Sequence, residues 1–381
     1  MEAAVQVQGG FDLEHGPLAR LIHFSSGPGA AGRLLWAIHH LVVDGVSWRV
    51  LLEDLETAYS QAHRGLAPVL PAKTTSFKAW AERLAAHARS GVPLEEAGHW
   101  RAVGRARAQQ LPVDLPEGRR ANTVGSAGTV TVELSPEETR VLLQEVPAVY
   151  RTQINDALLA ALAQAIASWT GSPCVRIDLE GHGREPLFTD LDLSRTVGWF
   201  TSQFPVVIDL THAAGSGAAL VAVKEQLRAI PNRGISYGLL RHLDQPDPET
   251  ARTLREAPSS DVIFNYLGQI GPPPAIGAPI FAAVPEPTGP TRSARSHRSF
   301  LLEVNSLVAA GRLQVSFQYS SGAHRRTTVE RLAAAVAAKL RELILHCRAA
   351  EEPLLTPSDF PLARLNEETF RELSLMLDEV D

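Results

Sequence analysis

The sequence predicts an α/β (α+β) protein built as two lobes, and three observations support that class. Alternating apolar stretches of strand type are interleaved with helical ones along all 381 residues. That length exceeds one ordinary domain. A Pro- and Gly-rich stretch over residues 112–127, with Gly128 at its edge, interrupts the pattern. The expected division is a first lobe over residues 1–118, a second over residues 119–355 and a closing linker helix over residues 356–381.

In the first lobe, residues 19–24 and 34–40 read as strands, turned by Ser25-Ser26-Gly27-Pro28-Gly29. Within the second of them Leu34, Trp36, Ile38 and His40 alternate with Leu35, Ala37 and His39, until Gly45 breaks the pattern. Ser47 can then cap a helix over residues 47–62, whose apolar stripe is Val50, Leu51, Leu55, Ala58 and Tyr59. Residues 65–71 form a linker, and amphipathic helices follow near residues 76–90 and 94–110. The second carries Arg101, Arg105 and Arg107, either a solvated face or a docking surface for an acidic partner.

In the second lobe, residues 129–134 alternate as a strand, and Ser135-Pro136-Glu137-Glu138 is a capping box with proline in the first turn. A helix opening at Asn155-Asp156 and running to about Trp169 is apolar on most sides, which predicts burial. Residues 174–180 form a strand, with Val175, Ile177 and Leu179 on a core face and Arg176, Asp178 and Glu180 on the other. A strand over residues 206–210, a helix over 218–230, a loop over 231–238 and a short helix through Leu243 follow. Residues 261–269 form a strand with Asn265 and Tyr266 at its centre. Arg292, Arg295, His297 and Arg298 make the densest basic cluster, either a solvated loop or a surface for an anionic partner. A hairpin over residues 299–307 and 313–320 turns at Ala309-Ala310-Gly311, and a helix over about 329–346 closes the lobe. An acidic helix over residues 366–381 ends the chain.

Composition narrows the function classes. A formal charge of -6 argues against a general nucleic-acid binder, since phosphate affinity comes from clustered Lys and Arg. The two cysteines, Cys174 and Cys347, cannot form a disulfide framework and have no metal-type spacing. No secretory leader or membrane span is visible, so the expected compartment is cytoplasmic. No phosphate-binding or dinucleotide glycine motif occurs and no metal ligand set is expected.

Two places carry acid–base chemistry. His39 and His40 stand where a strand gives way to a helix, a position rigidly held yet open at one end. A histidine there can move a proton near neutral pH, and Asp44 can fix the local geometry by a salt bridge or backbone hydrogen bonds. The alternative is a pair of satisfied structural histidines. Glu180 precedes Gly181-His182-Gly183-Arg184-Glu185, and two glycines beside a carboxylate at a strand end let backbone approach a ligand. Glu180 is therefore either a working acid or base or a solvated charge. Asn265 either staples neighbouring backbone or presents a donor to a ligand.

These residues resemble one family in several places, in order. His39-His40-Leu41-Val42-Val43-Asp44-Gly45 resembles the HHxxxDG motif of the condensation-domain superfamily of nonribosomal peptide synthetases, shared in looser form with chloramphenicol acetyltransferase. Glu180 to Glu185, residues 195–205, residues 231–238 and Phe264-Asn265-Tyr266-Leu267-Gly268-Gln269 are similar to later motifs of epimerization domains, with residues 155–159 as a further match. The resemblance implies two chloramphenicol-acetyltransferase-like lobes in a V around a central tunnel. It implies an isomerase that inverts Cα, L to D, of an aminoacyl or peptidyl thioester on the phosphopantetheine arm of a peptidyl carrier protein. His40 and Glu180 are then the acid–base pair; His39, Asp44, Gly45, Asn265 and Tyr266 support the site. No cofactor of its own and no metal are implied. Beyond the 4'-phosphopantetheine supplied by the carrier, the implied partners are neighbouring synthetase domains, with neither nucleic acid nor membrane. The family's segment ahead of the histidine motif has no counterpart here, so the first lobe is expected to be partial. The competing expectations are an amide-forming condensation domain and a non-catalytic docking fragment.

Overall fold

The computed structural model describes residues 2–244, 246–270, 281–282, 284, 286–350, 354–360, 362–363 and 369–370. It opens on helix α1 (Glu2–Gly9), where only strands were expected; buried Ala4 and Val7 give it one apolar edge, too short to show a period in sequence. The hairpin β1 (Ala19–Phe24) and β2 (Arg33–Ile38) follows, with Leu21 opposite Trp36. Strand β2 stops at Ile38, short of the histidines, because a 3-10 turn, His40–Val42, takes over. Helix α2 (Gly45–His63) begins earlier than predicted and is capped by Asp44, not Ser47: Asp44 Oδ1 accepts the Ser47 N–H at 2.7 Å.

Helix α3 (Phe77–Arg89) is capped by Ser76. The single helix predicted over residues 94–110 is instead a 3-10 turn, Val92–Glu96, and α4 (Ala97–Arg105). Arg176 ends α4 there by donating to the Val103 and Ala106 carbonyls at 3.0 and 2.8 Å.

The rest of the chain forms β3 (Ala127–Glu133), α5 (Pro136–Tyr150), α6 (Ile154–Thr170), β4 (Cys174–Gly181), β5 (Ser202–Asp209), α7 (Gly215–Arg228), α8 (Ile235–His242), α9 (Pro248–Glu256), β6 (Val262–Ile270), β7 (Leu302–Ala309), β8 (Arg312–Ser320) and α10 (Arg326–Arg348). The capping box predicted at Ser135 is present, with reciprocal bonds to Glu138. Helix α9 escaped the sequence reading although Asp247-Pro248-Glu249 is a helix-start signal; Asp247 caps it.

Six strands make one mixed sheet in the order β3-β8-β7-β6-β4-β5. Strands β4, β6 and β7 run parallel; the other pairs are antiparallel. Helices α5, α6, α7 and α10 pack together with this sheet, and the run Ala157–Ala163 of α6 is buried throughout, as its composition predicted. Burying side chains such as Ile177 and Leu162 stabilises the lobe by about 1.5–3 kcal/mol each. Helices α4 and α8 pack against β5, where fully buried Trp100 donates its indole N–H to Ser236 Oγ at 2.8 Å. A smaller cluster of Trp80, Leu193, Phe200 and Ile235 lies beside it.

The polar face of β4 is not uniform: Arg176 is buried against α4, Asp178 accepts from Gln203 and Ser260, and Glu180 reaches the cavity described below. The basic cluster divides too. Arg298 is buried, paired with Glu303 at 3.2 Å and donating to the Gln318 carbonyl, so it is a structural residue, whereas Arg292, Arg295 and His297 are exposed. Cys174 and Cys347 are free thiols. Among the described residues no helix is long and apolar enough to cross a membrane. The terminal helix predicted over residues 366–381 lies outside the described residues except for Thr369 and Phe370.

Candidate active site

The histidine loop is a short non-repetitive joint between β2 and α2. The His39 N–H donates to the Leu18 carbonyl at 2.8 Å, prolonging the hairpin by one rung, and its Nδ1 accepts the Leu41 N–H. Its ring packs edge-on to Phe11, so His39 is a satisfied structural histidine. His40, one residue on, lines a cavity of about 1040 Å³ and rests 4.9 Å from the Trp199 ring, centroid to centroid. Gly45 lines the same cavity; a Cβ there would meet nothing within 4 Å, so the glycine keeps a backbone wall open.

Asp44 is 3% exposed and ties this loop to the distant end of β4. Arg184 donates to both its carboxylate oxygens, at 2.8 and 3.2 Å, and the N–H groups of Ser47 and Phe200 complete the shell. Burial alone would raise the Asp44 pKa, but the Arg184 bond and the Ser47 and Phe200 donors outweigh it, holding the carboxyl below its ordinary 3.8. Arg184 also donates to Ser47 Oγ and the Thr196 carbonyl and lies 4.0 Å over the Phe200 ring. Ser47 in turn bridges the Gly198 N–H and carbonyl. Two distant stretches of chain, residues 44–47 and 196–200, thus meet on one guanidinium. Arg184 and Ser47 were not among the expected site residues, although Arg184 lies inside the quoted glycine motif.

That motif needs its glycines. Gly183 has φ +67, and a Cβ on it would sit 1.6 Å from the Phe200 carbonyl oxygen. The tight turn swings Arg184 back under the histidine loop and leaves Glu180, opposite Gln203 in the β4–β5 register, facing the cavity.

His40 and Glu180 therefore line one space, joined there by Asp44, Gly45, Asn265 and Tyr266. Of the expected site residues only His39 is turned elsewhere. The Asn265 amide donates to Glu180 Oε2 at 2.7 Å and so orients the carboxylate. Glu180 is exposed on the cavity side, while neighbouring protein partly desolvates its carboxyl. Burial pushes its pKa above the ordinary value, Glu303 adds to the rise, and His40 and Arg292 pull against it. Burial likewise raises the Tyr266 phenol, which stays protonated. Asp156 and Arg228, a bidentate pair at 2.8 and 3.2 Å, close another wall. Among the described residues no three His, Cys, Asp or Glu side chains are grouped to hold a metal ion.

The mixed sheet of this order is that of a chloramphenicol-acetyltransferase-like fold, and it brings the histidine loop and the Glu180 carboxylate to one cavity. The model of the condensation-domain family matches residues 1–365, and the chain belongs to that family. It is 45% identical over 362 residues to a linear gramicidin synthase of Brevibacillus parabrevis, covering 95% of this chain and 7% of that protein. It is 36% identical to tyrocidine synthase 1 of the same organism, covering 99% of this chain and 35% of that one. The chain thus spans a small part of these synthetases. The crystal structure of the epimerization domain from the third module of tyrocidine synthetase B superposes with a TM-score of 0.83 at 38% identity, covering 92% of this chain and 77% of that one.

Proposed function

We propose that the cavity inverts Cα, L to D, in an aminoacyl or peptidyl thioester brought by the 4'-phosphopantetheine arm of a peptidyl carrier protein, within nonribosomal peptide synthesis and beside neighbouring synthetase domains. The observation that carries this reading is that His40 and Glu180, from two motifs far apart in the sequence, line one cavity. The 38% identical epimerization domain of tyrocidine synthetase B supports it.

Inversion needs a proton taken from one face of Cα and one returned to the other. One of the pair removes the Cα proton, the C–H electrons become the enolate, and the other group protonates the opposite face. Atoms and charge balance with no electron transfer. A carboxyl with a raised pKa is a stronger base when ionised and a donor nearer neutrality when protonated. Tyr266, protonated and on the same cavity, is the donor assigned to the enolate oxygen. One positioned acid–base group contributes about 10²–10⁴-fold, so loss of either should be severe.

The test is Cα-deuterium washout from a carrier-bound L-aminoacyl thioester. Glu180→Gln and His40→Ala should each slow it at least about 10²-fold. Unchanged exchange in either variant would remove that residue from the mechanism. Offering donor and acceptor carriers together and finding peptide product would support amide formation instead. Carrier binding with no exchange at any pH would leave a docking role.

A further inference from the structure

We propose that Glu185 is a subsite for a cationic group of the substrate, an ammonium carried by the aminoacyl or peptidyl unit; the identity of that unit rests on the epimerization reading, the subsite itself on the cavity.

Four carboxylates line the cavity, and three are accounted for. Asp44 is held by Arg184 and two N–H groups. Asp156 is held by Arg228 and the Gln153 N–H. Glu180 accepts from Asn265. Glu185 is only 5% exposed, and among the described residues its carboxylate takes part in no hydrogen bond, only two long ion contacts: His182 Nε2 at 3.4 Å and Arg233 Nε at 3.7 Å.

Neither contact neutralises it well. His182 Nδ1 accepts the Arg184 N–H at 3.0 Å, which requires that nitrogen unprotonated, so the ring presents Nε2–H as a neutral donor. Among the described residues Arg233 is the only Lys or Arg paired with it, and its side chain is 76% exposed, free to turn into solvent. Its backbone sits in an anchored left-handed turn. Asn232 and Arg233 stand at φ 42 and 52, with Gly234 at φ 86. The Asn232 amide and the Ser236 hydroxyl both anchor this left-handed turn on Glu96.

A buried carboxylate without a close cation is poorly compensated. An incoming ammonium would supply three donors to it inside the cavity. Two sources present that chemistry: the α-ammonium of an aminoacyl unit, or a basic side chain.

Binding of four pantetheine probes, with an amide in place of the thioester, separates them. The acyl groups are L-norvalyl, N-acetyl-L-norvalyl, L-ornithyl and N-acetyl-L-ornithyl. If the α-ammonium is the ligand, norvalyl binds about 10-fold or more tighter than N-acetylnorvalyl; if the side chain is, N-acetylornithyl exceeds N-acetylnorvalyl by a similar factor. In Glu185→Gln that preference should vanish while the Kd of N-acetylnorvalyl stays the same. Equal binding of all four by the unaltered protein overturns the proposal without any variant. So does a Glu185→Gln protein that loses neutral and cationic probes alike, which marks a structural role. Because these probes read binding alone, a preference that persists where no Cα exchange occurs would defeat the epimerization reading and leave the subsite standing, and the converse result would do the reverse.

Discussion

The Asp44–Arg184 pair makes the strongest quantitative demand on the structure. Both side chains are nearly inaccessible, 3% and 9% exposed, and the pair is bidentate. Removing one partner from such a pair costs about 3–5 kcal/mol, because the survivor is left charged and buried. Asp44→Asn keeps one oxygen for the Ser47 N–H but turns the other, which accepts from Arg184 and the Phe200 N–H, into a donor, so about 3–5 kcal/mol is expected. Arg184→Met also forfeits the contact over Phe200, about 0.5–2 kcal/mol, and belongs at the upper end. The double variant should cost less than the sum of the singles by about 2–3 kcal/mol. Urea unfolding of the four proteins at pH 7 measures this. The folded-state pKa of Asp44 lies below 3.8, so its contribution is complete above that value and disappears as pH falls through it towards the folded pKa. The gap between native protein and Asp44→Asn should therefore narrow in acid. Single variants costing under about 1 kcal/mol, or strictly additive effects, would refute the view that this pair locks the histidine loop to the glutamate motif.

Other consequences are separable. Gly183→Ala combines a positive φ with the Phe200 oxygen at 1.6 Å and should destabilise by well over 2 kcal/mol, about the top of the usual left-handed penalty; Gly215→Ala, at φ +85 in open space, should lose only about 1–2 kcal/mol in the same unfolding assay. Lys224 is 1% exposed and bonds both Asp359 oxygens at 2.7 Å and the Tyr150 carbonyl at 2.8 Å; Lys224→Met should cost about 3–5 kcal/mol by thermal or urea unfolding. Arg252→Ala, at an exposed pair with Glu249, should leave the urea midpoint essentially unchanged. The Glu180 pKa is raised by folding, so its ionisation weakens the fold as pH rises through the ordinary carboxylate range; Glu180→Gln should abolish exchange yet unfold later than the native protein at pH 7.

The sequence reached furthest where the signal was local. The capping box at Ser135, the buried run of α6 and the hairpin at Ala310 follow from neighbouring residues alone, and each formed as read. The N-cap of α2 was misassigned because Asp44 and Ser47 are both capping residue types, and only the structure shows that Ser47 is occupied at Gly198 and Arg184. What no local pattern reveals is the company a side chain keeps across the fold. Arg184 was visible between Gly183 and Glu185, but its bond to Asp44 depends on a turn that only the packed Phe200 carbonyl makes obligatory. The bond from Asn265 to Glu180 could not be read locally, since the register that sets them side by side depends on the parallel pairing of β4 with β6.

The most direct measurement of the central claim is early-time epimerization in D₂O, starting from a protiated L-aminoacyl thioester on its carrier. Two groups on opposite faces predict a D product carrying solvent deuterium while the remaining L substrate keeps its protium. A D product that retains the original hydrogen, or deuterium entering both isomers equally from the first turnovers, would contradict the assignment of His40 and Glu180 to opposite sides of Cα.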